Sequence, residues 1–210
     1  MQDSIFDLNC TECPRLAGFL DEVKAKHPDY HCRPVAPFGD DKASVLIVGL
    51  APGMHGANAT GRPFTGDHAG ILLYETLYEY GFSTAATSVS ADDGLKLLNC
   101  RITNAVKCLP PQNKPVGAEI NTCNPFLKNE LEAMPANSVI IALGSIAHNA
   151  VVKALSLRQK DFKFGHLNQH QISVGTLLDS YHCSRYNTQT KRLTPEMFKQ
   201  VFELAKQLTL

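Results

Sequence analysis

Short apolar runs divide the chain. Ser44–Leu50 (SVLIVGL) and Ser138–Leu143 (SVIIAL) are continuous hydrophobic stretches, the pattern of parallel strands buried on both faces. Leu98–Val106 alternates enough to read as a second strand in chain order, and Ile172–Leu178 as a fourth. Between them the spacing predicts helices. The first runs from about Arg15 to Lys26, with Pro14 in its first turn. A second covers about Asp67–Tyr80, with apolar positions at Ile71, Leu72, Leu73, Leu77 and Tyr78. Others cover about Val116–Ala133, Ser145–Leu155, and a last one to Gln207 that Thr194 caps and Pro195 begins. Residues 27–41, 51–66, 84–96 and 158–171 read as loops rich in Gly, Pro or polar residues.

Strands alternating with helices imply a parallel sheet covered on both faces. In such sheets ligands bind beyond the carboxyl ends of the strands. The unusual polar segments all leave such ends: after Leu50, Asn104, Leu143 and Leu178. There is no internal repeat and no low-complexity tract.

A length of 210 residues suits one domain. No stretch approaches the roughly 18 apolar residues of a membrane span. The start, MQDSIFDLNC, lacks a basic region followed by an apolar one, so no signal peptide and a cytoplasmic location are expected. A net charge of zero does not itself point to nucleic acid. Its distribution is uneven: residues 1–100 hold 7 Lys/Arg against 13 Asp/Glu, and residues 101–210 hold 13 against 7. An acidic and a basic face would produce this, and so would chance along an interleaved chain.

The chain has seven cysteines, Cys10, Cys13, Cys32, Cys100, Cys108, Cys123 and Cys183. An odd number without a secretion signal argues against a disulfide framework. Cys10-x2-Cys13 and Cys108-x14-Cys123 form two pairs, and a C-x2-C turn presents two thiolates to one ion. Four thiolates hold either zinc or an iron–sulfur cluster, and spacing does not decide between them. Four unrelated buried cysteines are the plain alternative. Cys32, Cys100 and Cys183 read as ordinary cysteines; Cys100 lies inside an expected strand and is most simply a core residue.

Three longer segments carry a resemblance. Gly49–Asp67 (GLAPGMHGANATGRPFTGD) closely resembles motif one of the B-type (family 5) uracil-DNA glycosylases. Thr103–Pro115 (TNAVKCLPPQNKP) is similar to that family's base-recognition strand and cluster loop. Ser180–Asn187 (SYHCSRYN), followed by LTPEMF, is similar to its second motif. The resemblance covers nearly the whole chain from Cys10 onward. It implies a three-layer α/β/α fold around a central four-stranded parallel sheet. It also implies one domain over 1–210, whose N-terminal segment, about 1–40, is tied in by a structural [4Fe–4S] cluster. The ligands would be Cys10, Cys13, Cys108 and Cys123, with iron–sulfur preferred to zinc. The implied activity is DNA repair: monofunctional hydrolysis of the N-glycosidic bond of uracil, and of hypoxanthine or other deaminated bases. The partner would be DNA and not a membrane, and the enzyme a monomer.

The chemistry asks for particular groups. The base leaves with its electrons and the sugar becomes oxocarbenium-like, after the nucleotide has been flipped from the stack. By the resemblance, Phe64 stacks on the flipped base and Asn104 reads its Watson–Crick edge. His182 donates to the leaving anion. Asp67 orients water or opposes the sugar's charge. Ala51, Gly53 and His55 shape the pocket, and Ser184, Arg185, Tyr186 and Asn187 meet DNA. Each has a plain alternative: Phe64 a core ring, Asn104 a turn residue, His182 structural, Asp67 a helix N-cap. Two departures from the family stand out. Cys183 occupies a position where relatives often have Pro, and Ala59 removes a polar side chain beside Thr60. No nucleophilic Lys lies in the motifs, which favours a hydrolase over a lyase. Two rivals keep the same fold: a non-catalytic metal-containing nucleotide-binding module of Rossmann type, and a hydrolase of free nucleosides.

Overall fold

The computed structural model describes residues 6–209; the first half of MQDSIFDLNC, where no signal peptide is expected, lies outside that range. Six strands form one sheet: β1 (Phe38–Gly39), β2 (Val45–Gly49), β3 (Cys100–Asn104), β4 (Ser138–Leu143), β5 (Gln169–Ile172) and β6 (Gly175–Ser180). Their spatial order is β1-β3-β2-β4-β6-β5. The four central strands are mutually parallel, as expected. The edges correct the reading, because β1 and β5 add antiparallel strands on either side. The stretch read as one strand, Ile172–Leu178, is divided. Ile172 pairs with Gly175 across a tight reversal, so the chain makes a hairpin there.

The central strands read as unbroken apolar runs because both faces are covered. Val45 and Ile47 point into one core with Leu73 and Leu77 of α3 (His68–Glu79) and with Phe198, Val201 and Phe202 of α7 (Pro195–Leu208). Leu46 and Val48 point into the other, with Leu127 and Leu131 of α4 (Gly117–Glu132) and Ala147 and Val151 of α5 (Ser145–Ala154). The result is the three-layer α/β/α arrangement. Side chains begin three of the helices. Asp67 Oδ1 accepts from Gly70 N at 2.9 Å, Thr194 Oγ1 from Met197 N at 3.2 Å, and Ser184 Oγ from Asn187 N at 3.4 Å. The last of these starts α6 (Arg185–Gln189), a short helix with no signal in the hydrophobic pattern.

The N-terminal helix α1 (Pro14–Lys26) stands outside the two main cores. Leu20 and Val23 pack with Cys32 and Leu109 in a small cluster of their own. The chain then runs along the loop after β2: His31 N donates to Ala59 O at 3.0 Å and Cys32 N to Asn58 O at 3.1 Å. Val35 N donates to Lys107 O at 2.7 Å, which joins this segment to the loop after β3. Arg15 makes a two-pronged pair with Glu119, at 2.7 and 2.8 Å, across to the start of α4. No described helix is long and apolar enough to cross a membrane.

Candidate active site

A cavity of about 820 Å³ opens over the carboxyl ends of the four parallel strands. The loop after β2 supplies Ala51, Gly53, His55, Phe64 and Asp67. The end of β3 supplies Asn104, and the turn after β4 supplies Gly144, Ser145 and Ile146. The segment after β6 supplies Tyr181, His182, Ser184, Arg185 and Asn187. All the pocket residues expected from the sequence therefore line one cavity. Tyr186 does not; it is 70% exposed on α6, outside the cavity wall.

The aromatic platform is built under strain. Phe64 has φ of +54°, in the left-handed region that a bulky side chain rarely adopts. Its surroundings fix it there. Tyr74 Oη donates to Pro63 O at 3.0 Å. Buried Arg62 donates through Nε to Thr65 Oγ1 at 3.0 Å and through Nη2 to Ser88 Oγ at 2.6 Å and Asp93 Oδ2 at 2.5 Å. Arg62 also lies 4.8 Å over the Phe38 ring. Backbone strain held by buried surroundings is common at functional sites. The Phe64 and His182 rings are near-parallel, 5.9 Å apart.

Two buried polar atoms in this cavity have no hydrogen-bond partner among the described residues: Asn104 Oδ1 and His182 Nδ1. Buried polar atoms are rarely left so, and a pair of them at one cavity calls for a ligand. Burial pushes His182 down to about 4, so its imidazole is neutral near pH 7. Burial also raises Asp67 above the ordinary carboxyl value, against the lowering effect of the Gly70 and Ala69 N–H groups. Asp67 thus caps α3 with Oδ1 and also faces the cavity, so both readings of this residue hold geometrically. A β-carbon at Gly56 would lie 2.6 Å from Asp67 Oδ2, so glycine there leaves room for the carboxylate.

The rim is tied by short bonds. Tyr30 Oη pairs with His55 Nδ1 at 2.9 Å, and Asn187 Nδ2 donates to His182 O at 2.8 Å. His68 Nε2 meets Thr188 Oγ1 at 3.2 Å, bridging the start of α3 to α6. Cys183 is fully buried in the α3/α7 core, where it acts as packing. Thr60 turns inward and donates to Gly56 O at 3.1 Å, while Ala59 contributes only its backbone.

Several lining residues were not visible in the sequence: His68, Phe164, Tyr181 and Arg192. Only Tyr181 lies in a motif, and no local pattern marks the other three. They reach the cavity through tertiary contacts, with Arg192 4.8 Å over the Tyr181 ring.

A second, smaller cavity gathers Cys10, Cys13, Cys108 and Cys123 among Phe6, Leu16, Val106 and Phe126. Burial, then the neighbouring thiols Cys123, Cys10 and Cys13, push Cys108 up to about 12. Cys123 rises to about 11, mainly by burial, although Lys107 N donates to its sulfur at 3.3 Å. Four mutually opposed thiolates in an apolar pocket fit a shared cationic centre.

Residues 36–206 match the family model described as the uracil DNA glycosylase superfamily. The chain is 44% identical over 205 residues to a type-5 uracil-DNA glycosylase of Thermus thermophilus, covering 95% of this chain and 93% of the relative. It is 42% identical to a type-5 uracil-DNA glycosylase of Pyrobaculum aerophilum, covering 94% and 88% respectively. A type-4 uracil-DNA glycosylase of Archaeoglobus fulgidus is 36% identical over a shorter region, 57% of this chain and 52% of the relative.

Proposed function

The chain belongs to the uracil DNA glycosylase superfamily, and from that membership we propose that it is a monofunctional repair glycosylase that hydrolyses the N-glycosidic bond of uracil in DNA. The observation that carries the reading is the convergence of Phe64, Asn104, Asp67 and His182 on one cavity, with Asn104 Oδ1 and His182 Nδ1 lacking hydrogen-bond partners among the described residues. A flipped uracil supplies what those atoms lack. Its face stacks on Phe64, and its imide N–H donates to Asn104 Oδ1. The neutral His182 offers one N–H to a base oxygen as negative charge develops there; one such donor is worth about 3–4 kcal/mol of barrier. Asp67 holds a water near the sugar carbon and opposes the positive charge growing on the ring. The bond from that carbon to the base breaks with its electron pair leaving on the base. Water adds to the carbon and passes its proton to the Asp67 carboxylate; the departed base anion takes up a proton, so the products are free uracil and an abasic site.

Few of these contacts are specific to uracil, which supports acceptance of hypoxanthine and other deaminated bases. Ser184, Arg185, Tyr186 and Asn187 at the rim would meet the DNA strand; Tyr186, exposed outside the cavity, suits contact with the duplex rather than the base. Cys10, Cys13, Cys108 and Cys123 would hold a [4Fe–4S] cluster, which would supply a structural tie. It would fasten residues up to about 40 to the loop after β3, so that residues 1–210 act as one domain.

The test is release of uracil from a single-stranded oligonucleotide, read by alkaline cleavage at the abasic site, with Asp67→Asn and His182→Ala alongside. Wild-type rates in both variants would refute the site. A colourless purified protein that contains zinc and no iron would refute the cluster. Release from free deoxyuridine but not from the oligonucleotide would favour the nucleoside hydrolase instead.

A further inference from the structure

Beneath the cavity lies a buried pair that the reaction above does not use. His148 of α5 and Asp179 of β6 are both wholly inaccessible to solvent. His148 Nδ1 meets Asp179 Oδ1 at 2.7 Å, and His148 Nε2 meets Phe162 O at 3.0 Å. The Phe162 carbonyl only accepts, so Nε2 donates to it, and with an ionised carboxylate at Asp179 the Nδ1–H donates as well and the ring carries a positive charge. Asp179 Oδ2 accepts from Gly165 N at 3.2 Å and faces His170 Nε2 at 3.4 Å. Both His148 nitrogens and both Asp179 oxygens are thus engaged within the protein.

These bonds converge on one stretch of chain. Phe162 is held through His148 and Gly165 through the carboxylate. Leu167 N donates to Asp179 O at 2.9 Å, and Asp179 N to Asn168 O at 3.0 Å. Residues 162–168 lie between a single 3₁₀ turn and β5 and have no helix or strand of their own, although Phe162 and Leu167 also pack against the two cores. The stretch carries Phe164 into the cavity wall. Phe164 packs 5.7 Å from the His148 ring and 6.1 Å from Tyr181. His166 stacks on Tyr181 at 5.1 Å, and its Nδ1 accepts from Tyr181 N at 3.2 Å.

We infer that the His148–Asp179 pair positions the outer aromatic wall of the cavity, Phe164 and Tyr181, and thereby sets affinity for the extruded nucleotide rather than the rate of bond cleavage. The inference rests on the glycosylase reading for its substrate. Phe164 offers the reacting atoms no acid, base or charge, and a stacking wall contributes mainly to ground-state binding. The pair also makes the wall sensitive to pH. Burial opposes the charge on His148, but the bonds to Asp179 and Phe162 O outweigh it and raise this histidine above its ordinary value. A tether held by a raised histidine is complete below the unfolded value of about 6.5 and is lost as pH rises through the folded one. Asp179 is the one charged group that perturbs His148. The other titratable group facing it is His170 of β5, with ring centres 5.4 Å apart, while His166 faces Tyr181.

The chain has no tryptophan, so Phe164→Trp places a single fluorophore in the wall. Its emission and anisotropy are followed from about pH 6 to about 9. A cooperative loosening toward alkaline pH is expected, unchanged by adding His170→Gln and absent when His148→Met and Asp179→Leu replace the pair with apolar side chains that preserve packing. On a uracil-containing single strand, the His148→Met/Asp179→Leu protein should show KM raised about tenfold at pH 6 with kcat within about twofold of wild type. A flat fluorescence profile in the parent, the same profile in the double variant, or a loss in kcat with KM unchanged would each overturn the inference. If the protein releases no uracil at all, the glycosylase reading falls, while the fluorescence still decides whether the pair holds the wall.

Discussion

Gly49→Ala adds one methyl group behind the catalytic surface and touches nothing else. Gly49 ends β2, paired in register with Asn104 of β3. A β-carbon there would overlap Asn104 Oδ1 and lie 2.7 Å from Phe64 Cζ. The reader and the platform cannot both keep their places. Asn104 displaced from the base edge leaves a polar group of the bound base unpaired, costing about 1–3 kcal/mol. A shifted Phe64 loses part of a stacking interaction worth about 1–3 kcal/mol. Together these amount to about 2–5 kcal/mol, or a fall in kcat/KM of roughly 30- to 4,000-fold. The fold should lose little, because alanine suits an extended strand and restricts the unfolded chain by about 0.4–1 kcal/mol in its favour. The assay is uracil release under single-turnover conditions, with thermal unfolding measured on the same preparation. A kcat/KM within threefold of wild type would refute the placement of Asn104 and Phe64 at the base. A loss matched by collapse of the melting transition would show the methyl group acting on the fold instead.

Other outcomes follow from the same geometry. Lys107 and Glu130 form a buried pair at 2.5 Å. Lys107→Met strands the carboxylate, so stability should fall by about 3–5 kcal/mol, read as a drop in Tm, and Lys107→Met/Glu130→Leu should recover much of it. Asp93 is held far below the usual carboxyl range by Arg62 and by the N–H groups of Val89, Leu95 and Ser90, which outweigh its burial. The stability it contributes is present above the ordinary value of about 3.9 and is lost as pH falls toward its folded value, so the gap in Tm between Asp93→Asn and wild type should narrow between about pH 6 and pH 3. Asp67 lies above the ordinary carboxyl value and His182 near 4, so kcat/KM should decline on the acid side, and Asp67→Asn should remove one of the two acid limbs. Cys108→Ser should lower iron content and Tm together, while leaving residual uracil release in whatever fraction remains folded.

The parts of the fold legible in the sequence are those where burial is two-sided. Ser138–Leu143 is legible to the residue because every position is buried, and an unbroken apolar run of that length has few other fates. Gln169–Gln171 reads as loop because an edge strand with alternate residues exposed needs no apolar run; the pairing of β5 comes from β6, not from its own composition. The two-residue β1 and the single turn of α6 are too short for any periodicity to register. The candidate site divides the same way. Asp67, Phe64, Asn104 and His182 lie in long distinctive segments, each just beyond or at a strand end. Phe164 and Arg192 have no such context. Their places depend on a carboxylate and a ring elsewhere in the chain.

Asp67 holds two posts with one carboxylate, the first turn of α3 and the floor of the cavity. Substitution there favours short side chains that still accept a hydrogen bond, such as asparagine, serine or threonine, because losing the cap weakens the first turn of α3 by about 0.5–2 kcal/mol as well as altering the chemistry. Changes of specificity in this lineage should accumulate at walls like Phe164 or Ile146, which carry no such second duty.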